Sequence, residues 1–227
     1  MSLNLQANKE KFIQIFKGEI TREGADAMLD WLENSSDFFT APYTGQYVLS
    51  CEGGACQHAL DTFKAFSEMV AKYREQDPFI LCDPDMLDTP ENQQKAIAEV
   101  DQSVAIASLL SGVGIANSWV KGIRNVQKPD GKWEKVPCYK WEEEFIYGGV
   151  GGKSVFIIQQ FMRLYVEEAQ AIRFHKQGKE IPYGNNFEDS FYGVYETNLF
   201  ASMLGVAHNE AHNVSDKLIW EKIKPQV

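Results

Sequence analysis

The chain has 227 residues, 44% of them apolar, with 14 Phe, 9 Tyr and 5 Trp, which is enough to bury one full core and suits a single large domain over residues 1–227. Its formal net charge of −10 and pI near 4.9 disfavour a general electrostatic grip on nucleic acid or on an anionic membrane, leaving only a local basic groove open to such partners. No apolar run reaches the ~20 residues of a bilayer span and no signal-type apolar stretch precedes Lys9, so a cytoplasmic location with no membrane partner is expected; the four cysteines lack zinc-type spacing and are expected as free thiols.

Residues 8–17 and 22–33 carry apolar side chains at helical spacing (Phe12, Ile15 and Phe16, then Ala25, Met28, Leu29 and Leu32), which predicts a helical hairpin over residues 1–34. Gly18 is the expected stop of the first helix and Thr21 the expected N-cap of the second. SSDFFTAPYTG at 35–45 is turn-rich. CEGGACQHALDTFKAF at 51–66 then opens a helix whose apolar face (Ala55, Leu60, Phe63, Phe66) carries His58 or lies beside it. A lone His in that setting is more often a hydrogen-bonded core residue than a ligand.

DPDMLDTPEN at 83–92 reads as a connector ending in a helix start, with Thr89 as N-cap and Pro90 at the first helical position. That helix leads into the central one, QSVAIASLLSGVGIAN at 102–117, where Val104, Ile106, Ala107, Leu109 and Leu110 leave little solvated face before Ser111, Gly112 and Gly114 interrupt the run. Residues 123–139 alternate as strands around a Pro-Asp-Gly turn and predict a β-hairpin projecting from a helical body. GGVGGKS at 148–154 looks superficially like a phosphate loop ending in Lys153, but WEEEFIYGG before it is poor for a buried strand, so a glycine-rich entry to a helix over 154–165 is favoured. Helices are further expected over 167–175 and 187–214, with loop at 178–186 and a tail from 215.

Several of these segments together resemble the HD superfamily of metal-dependent phosphohydrolases, in particular its phage-type hydrolases and 3′-5′ exoribonucleases. The similarity covers roughly residues 35–211. It rests on SDFFTAPYTG, on the Glu-Gly-Gly…His pattern from Glu52 to His58, on the apolar helix ending at Ser111, on the hairpin with its Arg-Asn-Val and Gly-Lys-Trp, on the Gly-Lys-Ser entry, on Arg173-Phe174-His175, and on Val206-Ala207-His208-Asn209-Glu210-Ala211. The resemblance implies an all-α, HD-domain-like bundle with one inserted hairpin.

It also implies a pocket lined by Glu52, His58, Ser111, Gly112, Val150, Lys153, His175 and His208. In the family, the positions of Ser111 and Gly112 hold an adjacent His-Asp ligand pair, that of Val150 a ligand histidine and that of His208 a ligand aspartate. His58 and His175 keep ligand identities. HD enzymes use divalent ions to polarise a phosphoester and to generate hydroxide, and the anionic ligands that would hold Mg²⁺ or Mn²⁺ are absent here. Two functions follow as expectations. The first is a domain with no assigned catalytic residue and no cofactor, binding a nucleotide, a small phosphorylated ligand or a protein partner, with extended nucleic-acid binding disfavoured. The second is an active phosphohydrolase rebuilt around one zinc on His58, His175 and His208.

Overall fold

The computed structural model describes residues 2–143, 145, 147–176 and 192–224. Helices α1 (Leu5–Glu19), α2 (Ala25–Asn34), α3 (Gly54–Arg74), α4 (Pro90–Leu110), α5 (Val150–Ile158), α6 (Val166–Phe174), α7 (Leu199–Glu210) and α8 (Asp216–Ile223) form the body, with a π-helical segment over Ala211–Ser215 joining the last two. Among the described residues the only sheet is a two-stranded antiparallel ribbon, β1 (Trp119–Gln127) with β2 (Trp133–Trp141). The expected all-α body with one hairpin is therefore what forms, and no parallel sheet lies beneath the described part of the glycine-rich loop.

α4 is the axis. The two helical stretches expected upstream of Ser111 are one helix, capped by the Thr89 hydroxyl, which accepts from Asn92 N at 3.2 Å, and opened by Pro90. From Val104 to Leu110 every residue is buried, so this part of the helix contacts protein on all sides, as its sequence suggests. By length and composition, residues 90–115 are apolar enough to cross a membrane. Here those side chains are the floor against which α1, α3 and α6 pack, while α7 lies on α3 and α6.

Several boundaries differ from those expected, each for a tertiary reason. Thr21 does not cap α2; its amide and hydroxyl both donate to Gln102 Oε1, at 2.8 and 3.3 Å, and Gly24, at φ 88°, precedes the first turn instead. α1 runs through Gly18 to Glu19, because Ile20 N still reaches Phe16 O. The helix expected over 154–165 begins at Val150 and stops at Ile158. The ribbon extends beyond 123–139 at both ends, where Trp119 and Trp141 meet edge to face at 5.0 Å. The expected tail from 215 is helix α8 as far as Ile223. The loop expected at 178–186 lies outside the described residues.

Two further ties position the site. The Arg22 guanidinium grips the Glu168 carboxylate through both nitrogens, at 2.6 and 2.9 Å, in a nearly fully buried pair that fixes the α1–α2 turn to the start of α6. At the start of α3 the backbone turns through Gly53 at φ 79°, and a Cβ on Gly54 would sit 2.2 Å from Leu49 O. The paired glycines thus let the 40–50 loop press onto the helix carrying His58.

Candidate functional site

Five segments converge on one largely buried cluster of rings and carboxyls. α3 supplies His58, Asp61 and Thr62; α7, the π-helical segment and α8 supply in turn His208, His212 and Asp216; the loop before α3 supplies Tyr43. His58 Nδ1 is 2.7 Å from Asp216 Oδ2, and its Nε2 is 3.0 Å from His208 Nδ1 and 3.3 Å from the Thr62 hydroxyl. Tyr43 stacks on the His58 ring at 3.8 Å between centroids and brings its hydroxyl to 3.5 Å from His208 Nε2. His175, just past α6, meets the His208 ring edge to face at 4.7 Å, with Nδ1 2.7 Å from Ile172 O.

The environment fixes proton positions. The Ile172 carbonyl can only accept, so His175 carries its proton on Nδ1. With Asp216 ionised, His58 donates from Nδ1, its Nε2 is a lone pair, and the Nδ1–H of His208 is what fills it. The chain of donation then runs Tyr43 to His208 to His58 to Asp216. A proton on Asp216 Oδ2, the oxygen facing His58, would reverse it, since His58 would then accept at Nδ1 and donate from Nε2.

Burial lowers the His58 pKa to about 3, with the charge of Lys176 adding to the effect. It holds His208 well below the usual imidazole value, reinforced by His175 and His58. Burial also pushes the Asp216 carboxyl up to about 7 and that of Asp61 up to about 6, the latter also feeling the charge of Asp216. Asp216 Oδ1 is buried with no hydrogen bond of ordinary geometry, and Asp61 is the neighbouring carboxyl with which it interacts.

Of the residues expected to line one pocket, the structure brings His58, His175 and His208 into ring contact. Ser111, Gly112, Val150 and Lys153 gather where α4 meets α5. There the Ser154 hydroxyl donates to Ser111 O at 2.6 Å and accepts from Gly114 N at 2.8 Å. The Ser111 hydroxyl turns back to Ser108 O at 3.4 Å. Val150 is buried, its carbonyl so close to Gly114 that a Cβ there would approach to 2.3 Å. Gly112 has open space, its nearest potential neighbour being Ile115 Cδ1 at 3.9 Å.

Lys153, the residue that gives the loop its phosphate-binding look, is held by the Ser118 hydroxyl, by Ala116 O at 3.3 Å and by Glu143 at 3.5 Å, between the Trp141 and Tyr147 rings. Its ammonium is committed to the fold. Glu52 lies on the surface, paired with Lys121 of the ribbon at 3.1 Å.

A divalent ion of the HD kind does not fit the imidazoles as they stand. The facing nitrogens of His58 and His208 are used on each other, and His58 Nδ1 is used on Asp216. Among the described residues no three His, Cys, Asp or Glu side chains are placed to share an ion.

Sequence reasoning missed Tyr43, Asp61 and Asp216. A signal for the last was present, because His208, His212 and Asp216 repeat every fourth residue. That step overshoots an α-helical turn and undershoots a π-helical one, so the π segment keeps it on one face. No family model matches the chain, and no curated protein and no solved structure is similar to it.

Proposed function

We propose that this protein is an HD-phosphohydrolase-like domain whose metal site has been replaced by a hydrogen-bonded histidine cluster, and that it works as a non-catalytic binding module for a nucleotide, a small phosphorylated ligand or a protein partner. The observation that carries this reading is the direct bond between His58 Nε2 and His208 Nδ1 at 3.0 Å, completed by Asp216 on the far side of His58. In an HD-type enzyme, imidazole lone pairs would face an ion. Here, at the positions that resemble the family's ligands, one lone pair faces an N–H. Asp216 pairs with the far nitrogen of His58 from within the chain, and burial keeps the imidazoles neutral.

A second reading, the phosphohydrolase rebuilt around one zinc, draws on a different feature of the same cluster. A carboxylate on one nitrogen of a histidine is the arrangement that orients imidazole ligands in metal sites. Asp216 on His58, and Ile172 O on His175, supply such partners.

Assaying hydrolysis of nucleotides and phosphodiesters with added Mn²⁺, Mg²⁺ or Zn²⁺ separates the two. The binding-module reading expects no turnover above blank with any of the ions. Turnover that disappears in His58→Ala would replace it with the zinc enzyme. The double change Ser111→His with Gly112→Asp is expected to raise metal affinity without giving turnover, because the Val150 and His208 positions remain unlike those of the family.

A further inference from the structure

The ribbon has the opposite charge from the rest of the molecule. Residues 119–141 hold six Lys or Arg against two Asp or Glu, a balance of +4 in a chain of −10, leaving −14 on everything else. The register sorts these cations onto both faces. Lys121 and Lys135 share a face with Ile123 and Trp133, while Arg124 and Lys140 occupy the other. Lys121, Lys128 and Lys132 have exposed carboxylate partners, pairs that contribute little in water. Arg124, Lys135 and Lys140 are exposed and have no ion pair among the described residues. Ile123 is 61% and Trp133 68% exposed, although an isolated two-stranded ribbon gains nothing from leaving them in water.

We infer that the ribbon over residues 119–141 is an arm that binds duplex DNA by lying in its major groove. A groove about 12 Å wide admits a two-stranded ribbon, and the strands beyond the Lys121–Tyr139 pair, where Tyr139 N is tied to Gly45 O of the body, rise about 3.4 Å per residue and cover roughly half a helical turn of the duplex. Inside a groove, phosphates stand on both sides. That matches cations on both faces better than a flat anionic surface, which could meet only one. A membrane would also require apolar residues at the tip, and the tip is Lys128-Pro129-Asp130-Gly131-Lys132. Ile123 sits on the flank and Trp133 in the last pair before the turn, on one face of the ribbon, where base edges and thymine methyls would face them. The acidic body, beginning at Glu142, confines contact to the arm and keeps binding weak and salt-sensitive. The inference is independent of the fate of the metal site.

Anisotropy of a short labelled duplex titrated with the full chain, from about 50 to about 200 mM salt, tests it. Three phosphate contacts from Arg124, Lys135 and Lys140 predict a slope of log K on log salt of about −2.7, at about −0.9 per contact. The triple change Arg124→Gln, Lys135→Gln and Lys140→Gln should lower affinity at least tenfold and flatten the slope, with the thermal midpoint unchanged. The charge-keeping triple Arg124→Lys, Lys135→Arg and Lys140→Arg should restore both, which guards against a ribbon that has merely unfolded. Duplex RNA, whose major groove is too narrow, should bind more weakly. Absence of binding at the lowest salt, equal affinity of the glutamine triple, tighter binding to anionic vesicles than to DNA, or cation-dependent self-association in place of DNA binding would each overturn the inference.

Discussion

Asp216 governs the cluster because, among the described residues, it is the carboxyl that touches an imidazole, through Oδ2 on His58, and Asp61 acts on its titration. Its folded pKa, near 7, lies above the ordinary carboxylate value, so the native state holds a proton that the unfolded chain has released. The contribution of this group to stability is therefore complete below about pH 4 and is lost as pH rises through about 7. His58 and His208 act in the opposite sense. Their folded pKa values are depressed, so the unfolded chain takes up protons that the native state refuses, and stability falls as pH drops below the ordinary imidazole value near 6.5.

In the natural chain the two trends offset one another across the mildly acidic range. Asp216→Asn removes one side of the balance. Urea unfolding of that variant between pH 4 and 6 should show stability declining on acidification by up to about 1.4 kcal/mol per pH unit more than in the natural chain, the value for one proton. Identical pH profiles for the two proteins would mean that Asp216 has no raised pKa. The sequence pointed to His58, His175 and His208 through their pattern positions. It gave no equally direct pointer to Asp216, which lies past the last similar segment and earns its role only through the π-helical turn before it.

At the scale of elements, the junction of α4 with α5 is a close backbone approach. A Cβ on Gly114 would lie 2.3 Å from Val150 O and 3.0 Å from Ser154 N. Backbone on both sides cannot yield as a flexible side chain can. Gly114→Ala should therefore cost several kcal/mol, at or beyond about 3 kcal/mol on the scale of overpacked cores. Gly112→Ala, with open space at 3.9 Å, should be nearly neutral, and comparing their denaturant midpoints checks both. Equal loss from the two would show that the close contact is not what requires glycine.

Elements with strong local signals were legible from sequence. The Thr89-Pro90 start, the solid apolar face of α4 and the Pro-Asp-Gly turn each act within a few residues. Boundaries went astray where a distant partner decided them. Thr21 has the chemistry of a cap but donates to Gln102, 81 positions away. The ribbon outruns its alternating pattern because the rings of Trp119 and Trp141 close its base.

For the molecule as a whole, the proposed binding module rests on His58 and His208 forming, with Asp216, a self-satisfied core. Burial with mutual hydrogen bonding fits this, since an unpaired polar group in such a place would cost about 1–3 kcal/mol. The arm and the cluster then divide the molecule into a rigid, acidic body and a basic projection, each open to test without the other. The claim is tested most directly by nitrogen-15 NMR of the imidazole rings above pH 7, where Asp216 is ionised, before and after one equivalent of zinc. We expect His58, His175 and His208 as neutral rings protonated on Nδ1, with chemical shifts unchanged by the metal. Zinc-dependent shifts of the unprotonated nitrogens of these three rings, lost together in His208→Ala, would contradict it.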